Sequence, residues 1–418
     1  MLNKKKVKYL NSILMLASML FLSMPVFAGS DAMLELLKLL KDKGSISAEE
    51  YGLLVNAARA DEEKSDEVNH DFKKEITQTV RGLDRARWAE KIRIKGDARM
   101  RYQKQTEDGK PNRGRGRVRY RLGFIAHPVN RVEVGAGLAS GSSDQRSTNQ
   151  SFDGSFDTKN IGLDYAYAEF RATDSIKAIA GKFKRKHYLW APTDLIWDSD
   201  INPEGFSAGF DFRNALGDTF VNTGIWVLEE DPNSSNDPYL FYGQLGQKFR
   251  TDDFYATAAA TYYGFNDISS LAVLTNSEGT NTDFRFDSLG LSAEIGASNI
   301  FGSGKSAAVF TDFIKNADTG SPEDTGYAVG LKFGDKKTAH AGTWQFKYIY
   351  ARLEANAFPD FLPDSDRFDG LTGIKGHEFI VNYAVMKNVV LGLDFYRSEK
   401  IAGNTDQNLL QTDIVIKF

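Results

Sequence analysis

A regular alternation of apolar and polar residues with a period of two runs through most of the chain after Trp88. The clearest stretch is 325–333, where Tyr327, Val329 and Leu331 alternate with glycine and alanine. Successive side chains of a β-strand point to opposite faces, so the pattern predicts strands with one apolar face and one face in water. Soluble β-sandwiches alternate in the same way, and the pattern alone therefore leaves both folds open.

The number and spacing of the strands separate these two folds. The alternation predicts sixteen strands, at about 90–103, 113–127, 131–140, 160–172, 175–184, 205–214, 219–229, 239–250, 253–265, 284–298, 305–316, 325–334, 343–354, 376–385, 389–398 and 408–418. Short links alternate along the chain with longer ones rich in Gly, Ser, Asp and Asn, such as 141–159, 266–283 and 355–375. Outer-membrane barrels have an even number of strands, short periplasmic turns and longer outside loops. The sequence therefore predicts an all-β fold, a sixteen-stranded antiparallel transmembrane barrel at 89–418.

The N-terminus predicts export from the cytoplasm. Four lysines within the first eight residues precede an apolar run at 13–22, and Val26 and Ala28 occupy the small positions before a cleavage site. This is the pattern of a signal peptide, here 1–28, and its apolar run is too short to span a bilayer. A retained membrane anchor is the alternative. Cleavage would change the formal net charge from −4 to −8, and the absence of cysteine excludes a lipoprotein anchor, a disulfide framework and a thiolate metal site.

Residues 29–88 form a separate lead that is predicted to be helical and periplasmic. A short amphipathic helix is expected at 33–41, and Ser47 with Glu50 forms a capping box that starts a second helix at Ala48. The stretch 68–87 has heptad-like spacing over only about two heptads, fewer than a coiled coil requires. The lead could trimerise or tether the barrel, or it could be a mobile or plug-like segment.

The first two predicted strands carry basic residues on one face. The alternation places these on the face opposite to Ile94, Met100 and Tyr102, and lipid-facing arginine costs roughly 2–4 kcal/mol at the bilayer midplane. The predicted pore-lining arginines are therefore Arg93, Arg99, Arg101, Arg115, Arg117, Arg119 and Arg121. Arg113 and Arg115, near the strand end, could instead bind anionic lipid headgroups at the rim.

The third outside loop, about 185–204, is long, aromatic and acidic. A sixteen-stranded barrel is wide enough to hold water, and an inward-folded loop would narrow it. The predicted constriction acids are Asp194, Asp198, Asp200 and Glu204, which would face the arginines across the pore and set its selectivity. A solvated external loop is the alternative, and the neighbouring Lys184, Arg185 and Lys186 reduce the negative charge.

The last strand ends the chain on an aromatic residue. Leu410, Ile414, Ile416 and Phe418 share one face of this strand. A terminal aromatic strand of this kind resembles the assembly signal of outer-membrane barrels, and Phe418 is therefore the predicted signal residue.

Several segments resemble one bacterial family, that of the putative porins. They are WAEKIRIKGDARMRY at 88–102, the arginine-rich second strand and LIWDSDINPEG at 195–205. The helical lead, with Leu36–Leu40 and KGSISAEEY at 43–51, is similar to the start of that family and of the phosphate-selective porins. The resemblance covers nearly the whole mature chain and implies a sixteen-stranded trimeric channel, without identifying the solute.

The expected function is a passive outer-membrane channel for small hydrophilic solutes or ions, with a preference for anions. Its expected partners are outer-membrane lipid and lipopolysaccharide, the barrel assembly machinery and two further copies of itself, and not nucleic acid. A structural or adhesive barrel tied to the cell wall through the lead is one alternative. A membrane-embedded hydrolase is another, for which His187 and His377 are the only candidate bases near loops. No cofactor and no metal site are expected, because the five histidines lack metal-ligand spacing.

Overall fold

The computed structural model describes residues 38–39, 41–42, 47–56, 92–230, 232, 237–271, 285–318, 320, 322–403 and 405–418. The predicted signal peptide and the stretch 68–87 lie outside these residues. The chain divides into two compact units, Met1–Arg87 and Trp88–Phe418.

In the first unit, residues 48–56 are helical. The backbone N–H of Glu50 donates to Ser47 Oγ at 3.1 Å, and the backbone N–H of Ser47 donates to Glu50 Oε2 at 2.8 Å. These two reciprocal bonds are the predicted capping box, which satisfies N–H groups that have no partner inside the helix. Of the first predicted helix, the described residues 38, 39 and 41 are helical.

The described part of the second unit contains seventeen strands, of which sixteen form the wall of a barrel. They are β1 (Ile92–Glu107), β2 (Arg113–Val129), β3 (Val132–Ser140), β4 (Gln150–Ser151), β5 (Ile161–Arg171), β6 (Ile176–Lys182), β7 (Glu204–Asn214), β8 (Gly217–Val227), β9 (Tyr239–Arg250), β10 (Phe254–Asn266), β11 (Ser288–Ala297), β12 (Ser306–Asn316), β13 (Thr325–Gly334), β14 (Trp344–Leu353), β15 (Ile374–Met386), β16 (Val389–Lys400) and β17 (Asp406–Lys417). The two-residue β4 pairs with β2 and stands apart from the wall. All sixteen predicted strands are confirmed, with ends that shift by a few residues.

Every wall strand pairs antiparallel with its two neighbours, and β1 pairs with both β2 and β17, which closes the barrel. At one end the links are short turns, such as Lys387–Asn388, where Asn388 has φ +62°. Asparagine tolerates this left-handed conformation better than most residues, which suits it to a tight turn. The opposite end carries the links named L1 to L8 in chain order, which include the longest of the barrel: 108–112, 141–160, 183–203, 228–238, 267–287, 317–324, 354–373 and 401–405.

The outer surface of the wall is apolar. Leu245, Leu289, Leu291 and Val309 are each more than half exposed, as expected for a surface that contacts lipid. Aromatic pairs near the short-turn end include Phe333 with Trp344, whose ring centroids lie 5.5 Å apart. Among the described residues, no helix is long and apolar enough to cross a membrane.

The interior is packed on one side by two of the long links, L3 and L7. Trp197 of L3 is only 1% exposed, and its ring lies 5.4 Å from that of Trp226 on β8. Phe358 of L7 joins the same cluster, 5.8 Å from Trp197 and 5.4 Å from Tyr263 on β10. A sixteen-stranded barrel is too wide for its wall side chains alone to fill, so inward-folded loops supply the packing. These contacts place L3 and L7 inside the barrel.

Candidate functional site: the arginine wall and the inner loops

Opposite the packed side, β1 and β2 present a set of inward-facing arginines, here called the arginine wall. Its members are Arg99, Arg101, Arg115, Arg117, Arg119 and Arg121. In the register of the two strands, Arg99 lies directly opposite Arg119, and Arg101 lies opposite Arg117. Like charges that face each other across a ladder repel, so this arrangement requires nearby counter-charges or water.

Two aspartates of the wall strands supply part of this counter-charge. Asp413 on β17 accepts two hydrogen bonds from Arg101, both of 2.7 Å, and lies 3.7 Å from Arg99. Asp97 on β1 accepts from Arg119 at 2.8 Å and from Arg121 at 2.8 Å. Bidentate and bridging pairs of this kind fix the planar guanidinium groups in one orientation. Asp97 shares the inward face of β1 with Arg99 and Arg101, but nothing in the sequence indicated its bridging role.

Two members of the arginine wall have no acidic partner in the part of the chain that the structure describes. Arg117 donates to Gln103 Oε1 at 3.1 Å and to Ser147 Oγ at 3.2 Å, both of which are neutral. Among the described residues, no carboxylate oxygen lies within 4 Å of Arg115 or Arg117. The half-buried Arg115 faces inward, whereas Arg93, at the short-turn end of β1, is exposed. The positive charge of the wall is therefore only partly neutralised.

The four predicted constriction acids do not act as one group. Asp200 alone reaches the arginine wall, with its Oδ1 3.3 Å from Arg121. Asp198 instead accepts the backbone N–H of Ser365 in L7 at 3.0 Å, and Asp194 lies 3.9 Å from Arg367 in L7. The prediction that all four acids lie in the loop was wrong for Glu204, which is the exposed first residue of β7 and pairs with Lys182. The strand begins one residue earlier than predicted.

The environments of two of these loop acids shift their pKa values in opposite directions. Burial raises the pKa of Asp198 to about 7, because desolvation disfavours its charged form and Asp200 adds negative charge nearby. Burial would also raise the pKa of Asp200, but the positive charges of Arg119, Arg121 and Arg99 outweigh it and lower that pKa. Asp200 is therefore the charged acid of L3 that meets the wall.

L7 contributes a buried ionic cluster that the sequence did not reveal. Arg367 is 3% exposed, donates to Asp364 Oδ2 at 2.7 Å and to Glu378 on β15, and lies over the ring of Tyr396. Asp194, Asp364 and Glu378 lie within 4.8 Å of one another, a spacing that could hold a cation, but the guanidinium of Arg367 already binds this group. The cluster therefore connects L7 both to L3 and to strand β15 of the barrel wall. The apolar composition of 357–362 is the sequence feature that could have predicted an inward-folded L7, since an external loop seldom carries Phe358, Phe361 and Leu362 together.

L2 completes the assembly of loops beside the wall. Arg146 donates to the backbone carbonyls of Asp360 at 2.9 Å and Gly370 at 3.4 Å in L7. Thr148 donates to Asp200 Oδ2 from both its backbone N–H and its hydroxyl. L2, L3 and L7 are therefore linked to one another, and they border the arginine wall together.

The two histidines considered as catalytic bases lie in different surroundings. His377 is on the outer face of β15, where its Nδ1 lies 2.8 Å from the Tyr348 hydroxyl. His187 follows β6 in L3, and its backbone carbonyl accepts a hydrogen bond from Lys177 at 3.2 Å. Neither side chain lies within hydrogen-bonding distance of a serine or threonine hydroxyl among the described residues.

A closed sixteen-stranded antiparallel barrel with an apolar exterior, a charged inner wall and inward-folded loops defines a porin of the outer membrane. The sequence matches the family described as putative porin over residues 104–289 and 281–418, and the chain belongs to this family.

Several solved structures are similar to this chain. The high-pH structure of Pseudomonas putida OprB matches with a TM-score of 0.53 at 12% identity, over 81% of this chain and 97% of that one. A triple mutant of the Rhodopseudomonas blastica porin matches with a TM-score of 0.42 at 11% identity, over 78% of this chain and 100% of that one. The Salmonella typhi OmpF complex with daunomycin matches with a TM-score of 0.48 at 11% identity, over 78% and 97%. No curated protein matches the sequence.

Proposed function

We propose that this porin is a passive diffusion channel for small hydrophilic solutes and that its open pore favours anions. The observation that carries the preference is the arginine wall, in which Arg115 and Arg117 face inward without an acidic partner among the described residues. Positive charges that are confined on walls of low dielectric constant concentrate the electrostatic potential in the pore. Anions therefore become enriched and cations depleted beside these charges. Guanidinium groups stay protonated at all working pH values, and the wall therefore keeps its sign.

The acids inside the barrel limit this preference. Asp97, Asp413 and Asp200 each neutralise a neighbouring arginine, and Asp394 on β16 contributes a further inward carboxylate on the strand next to β17. We propose that L3 narrows the pore and that Asp200 is the one L3 acid that tunes its charge. Asp194 and Asp198 hold L3 against L7 in this proposal, and Glu204 contributes to the long-loop rim.

The reversal potential of the reconstituted channel tests the proposal. In a planar bilayer with a KCl gradient, a potential displaced toward the chloride equilibrium value is expected. A channel that selects potassium would contradict the anion preference while leaving the porin assignment intact. Conductance itself separates a channel from the structural or adhesive alternative.

We further propose export by cleavage after about Ala28, insertion by the barrel assembly machinery with Phe418 as the recognised residue, and assembly as a homotrimer in lipid and lipopolysaccharide. The family and the likeness to OprB support the barrel itself. The exposed aromatic face at the end of β17 supports the role of Phe418.

A further inference from the structure

We propose that a cavity between L3 and the barrel wall binds a small solute that carries two negative charges on oxygen atoms. This inference rests on the proposed function, because it names the class of solute for which the channel would provide a binding site. The cavity has a volume of about 340 Å³ and is bordered by β1, β2, β3, β5 and the two ends of L3. It is called the basic cavity here, after its lining residues Lys95, Arg121, Lys184, Lys186 and His187.

Of the five permanent cations that line it, Arg121 and Lys184 have acidic partners among the described residues, and the buried Arg185 donates to the backbone carbonyl of Trp197. Lys184 donates to Asp164 Oδ2 at 2.7 Å, and Arg121 binds Asp97 and Asp200. Lys95 and Lys186 form no ion pair with any other described residue, and both side chains are exposed. Two ammonium groups, one on β1 and one on L3, are therefore available to a bound anion.

Tyr165 holds the lysines at the edge of the cavity. Its ring lies 6.0 Å from Lys95 Nζ and 5.0 Å from Lys184 Nζ. The ring itself is fixed against the backbone of β3, because a Cβ on Gly137 would lie only 2.2 Å from Tyr165 Cε1. Cation–π contacts of this kind orient an ammonium group without neutralising it.

His187 lies on the L3 side of the cavity, close to several lysines. Burial, and after it the positive charges of Lys186, Lys177 and Lys95, lower the pKa of this imidazole. Two nearby acids accept hydrogen bonds from tyrosine hydroxyls, Glu133 from Tyr167 at 2.8 Å and Glu169 from Tyr188 at 2.9 Å, and neither forms an ion pair with Lys95 or Lys186. The Ser199 hydroxyl and the His187 ring form no side-chain hydrogen bond with the rest of the described chain, and each can donate to an anion.

The size and charge of the cavity define the class of solute. Ligand pockets range from about 300 to 1,000 Å³, so this cavity fits a solute of only a few heavy atoms. Two unpaired ammonium groups match a doubly charged oxyanion better than chloride or a monocarboxylate, because each can donate to a separate oxygen atom. Sulfate is the simplest probe, since its two charges do not titrate near neutral pH.

The test is a calorimetric titration of the intact, detergent-purified protein with sodium sulfate and, separately, with sodium acetate. Saturable sulfate binding that is tighter than acetate binding is expected. The double variant Lys95→Gln with Lys186→Gln should raise the apparent sulfate dissociation constant about tenfold or more, because charge-assisted hydrogen bonds are lost. The control is Lys336→Gln with Lys347→Gln, which removes two lysines without ion pairs from elsewhere in the barrel and should leave sulfate binding unchanged.

Absence of saturable sulfate binding in the native protein, or equal loss in the control variant, would overturn the inference. Sulfate binding no tighter than acetate binding would overturn it as well. The reversal potential is measured separately in KCl, so a cation-selective pore that binds sulfate would refute the anion preference and keep the site.

Discussion

The ring of Phe418 lies over the backbone of Gly96, at the seam where the last strand of the barrel meets the first. A Cβ on Gly96 would lie 2.5 Å from Phe418 Cζ, so only glycine leaves room for the ring. The backbones of the two residues exchange both hydrogen bonds, at 2.9 and 3.0 Å, and Tyr120 packs beside the ring at a centroid distance of 6.1 Å. The terminal residue therefore takes part in closing the barrel.

This contact gives the first prediction. Deleting Phe418 or changing it to Asp should reduce the amount of heat-resistant barrel in the outer membrane, because the last strand loses its aromatic end and its contact with Gly96. The readout is the folded fraction on heated and unheated gels of outer-membrane extracts. Phe301→Asp, at a fully exposed aromatic in a short turn, is the matched control. Unchanged folded Phe418→Asp protein would contradict the role.

The second prediction concerns the lead at 29–88. A mature chain that begins near Arg87, exported with the signal peptide 1–28 placed before it, should still insert and conduct, since the wall strands start at Ile92 and close without the lead. If the lead trimerises the barrel, the shortened protein should migrate as a monomer in mild detergent with an unchanged β-rich circular dichroism spectrum. Loss of all β structure would contradict both interpretations of the lead.

The arginine wall could be predicted from the sequence because the alternation that indicates it is a local pattern. Alternation specifies which residues face lipid, and a charged residue on the lipid face is costly, so Arg99, Arg117 and Arg121 could only face inward. The same signal gave the sixteen strands and the long-loop end. Ser47 and Glu50 were equally predictable, because a capping box lies within four residues of chain.

The loop contacts could not be predicted because they are not local. Arg367 and Glu378 belong to L7 and β15, but Asp194, which lies beside them, is more than 170 positions earlier in the chain. Nothing in the spacing of these residues states that L7 folds inward to meet L3. The prediction that the loop acids would face the arginines did not foresee that Asp194 and Asp198 contact Arg367 and Ser365 of L7.

The third prediction is a pH dependence of the contact between L3 and L7. Burial raises the pKa of Asp198 to about 7 and the pKa of Asp364 well above its ordinary value. A carboxyl group with a raised pKa in the folded state favours folding fully below its unfolded pKa near 4, and this contribution is lost as pH rises toward about 7. The contact should therefore be tighter at pH 4.5 than at pH 8.

Limited proteolysis of the purified protein measures this contact, with a protease that is active at both pH values. Cleavage within 354–373 should be slower at pH 4.5 than at pH 8. Asp198→Asn, which cannot ionise, should reduce the difference. Asp174→Asn, at an exposed acid in the short turn between β5 and β6, is the control and should leave the difference unchanged. Equal cleavage rates of the native protein at both pH values would contradict the prediction.

The fourth prediction assigns the selectivity of the pore to the arginine wall. Replacing Arg117, Arg119 and Arg121 together by Gln should move the reversal potential toward the potassium value. Three positive charges are removed, and Asp97 loses both of its partners and becomes an additional fixed negative charge. The shift should shrink at high salt, because the screening length falls from about 10 Å at 0.1 M to about 3 Å at 1 M.

Breaking a buried ion pair costs about 3–5 kcal/mol, so the triple variant could lose selectivity merely by losing structure. The double variant Arg115→Gln with Arg117→Gln separates these effects, because it leaves no carboxylate without its partner. It should shift the reversal potential in the same direction by a smaller amount, with unchanged heat resistance. Arg397→Gln, at an exposed arginine on the outer face of β16, should have no effect on the reversal potential. If the native channel already favours potassium and neither multiple variant changes the reversal potential, the prediction is contradicted. The selectivity is then set by the carboxylates of the loops and not by the arginine wall.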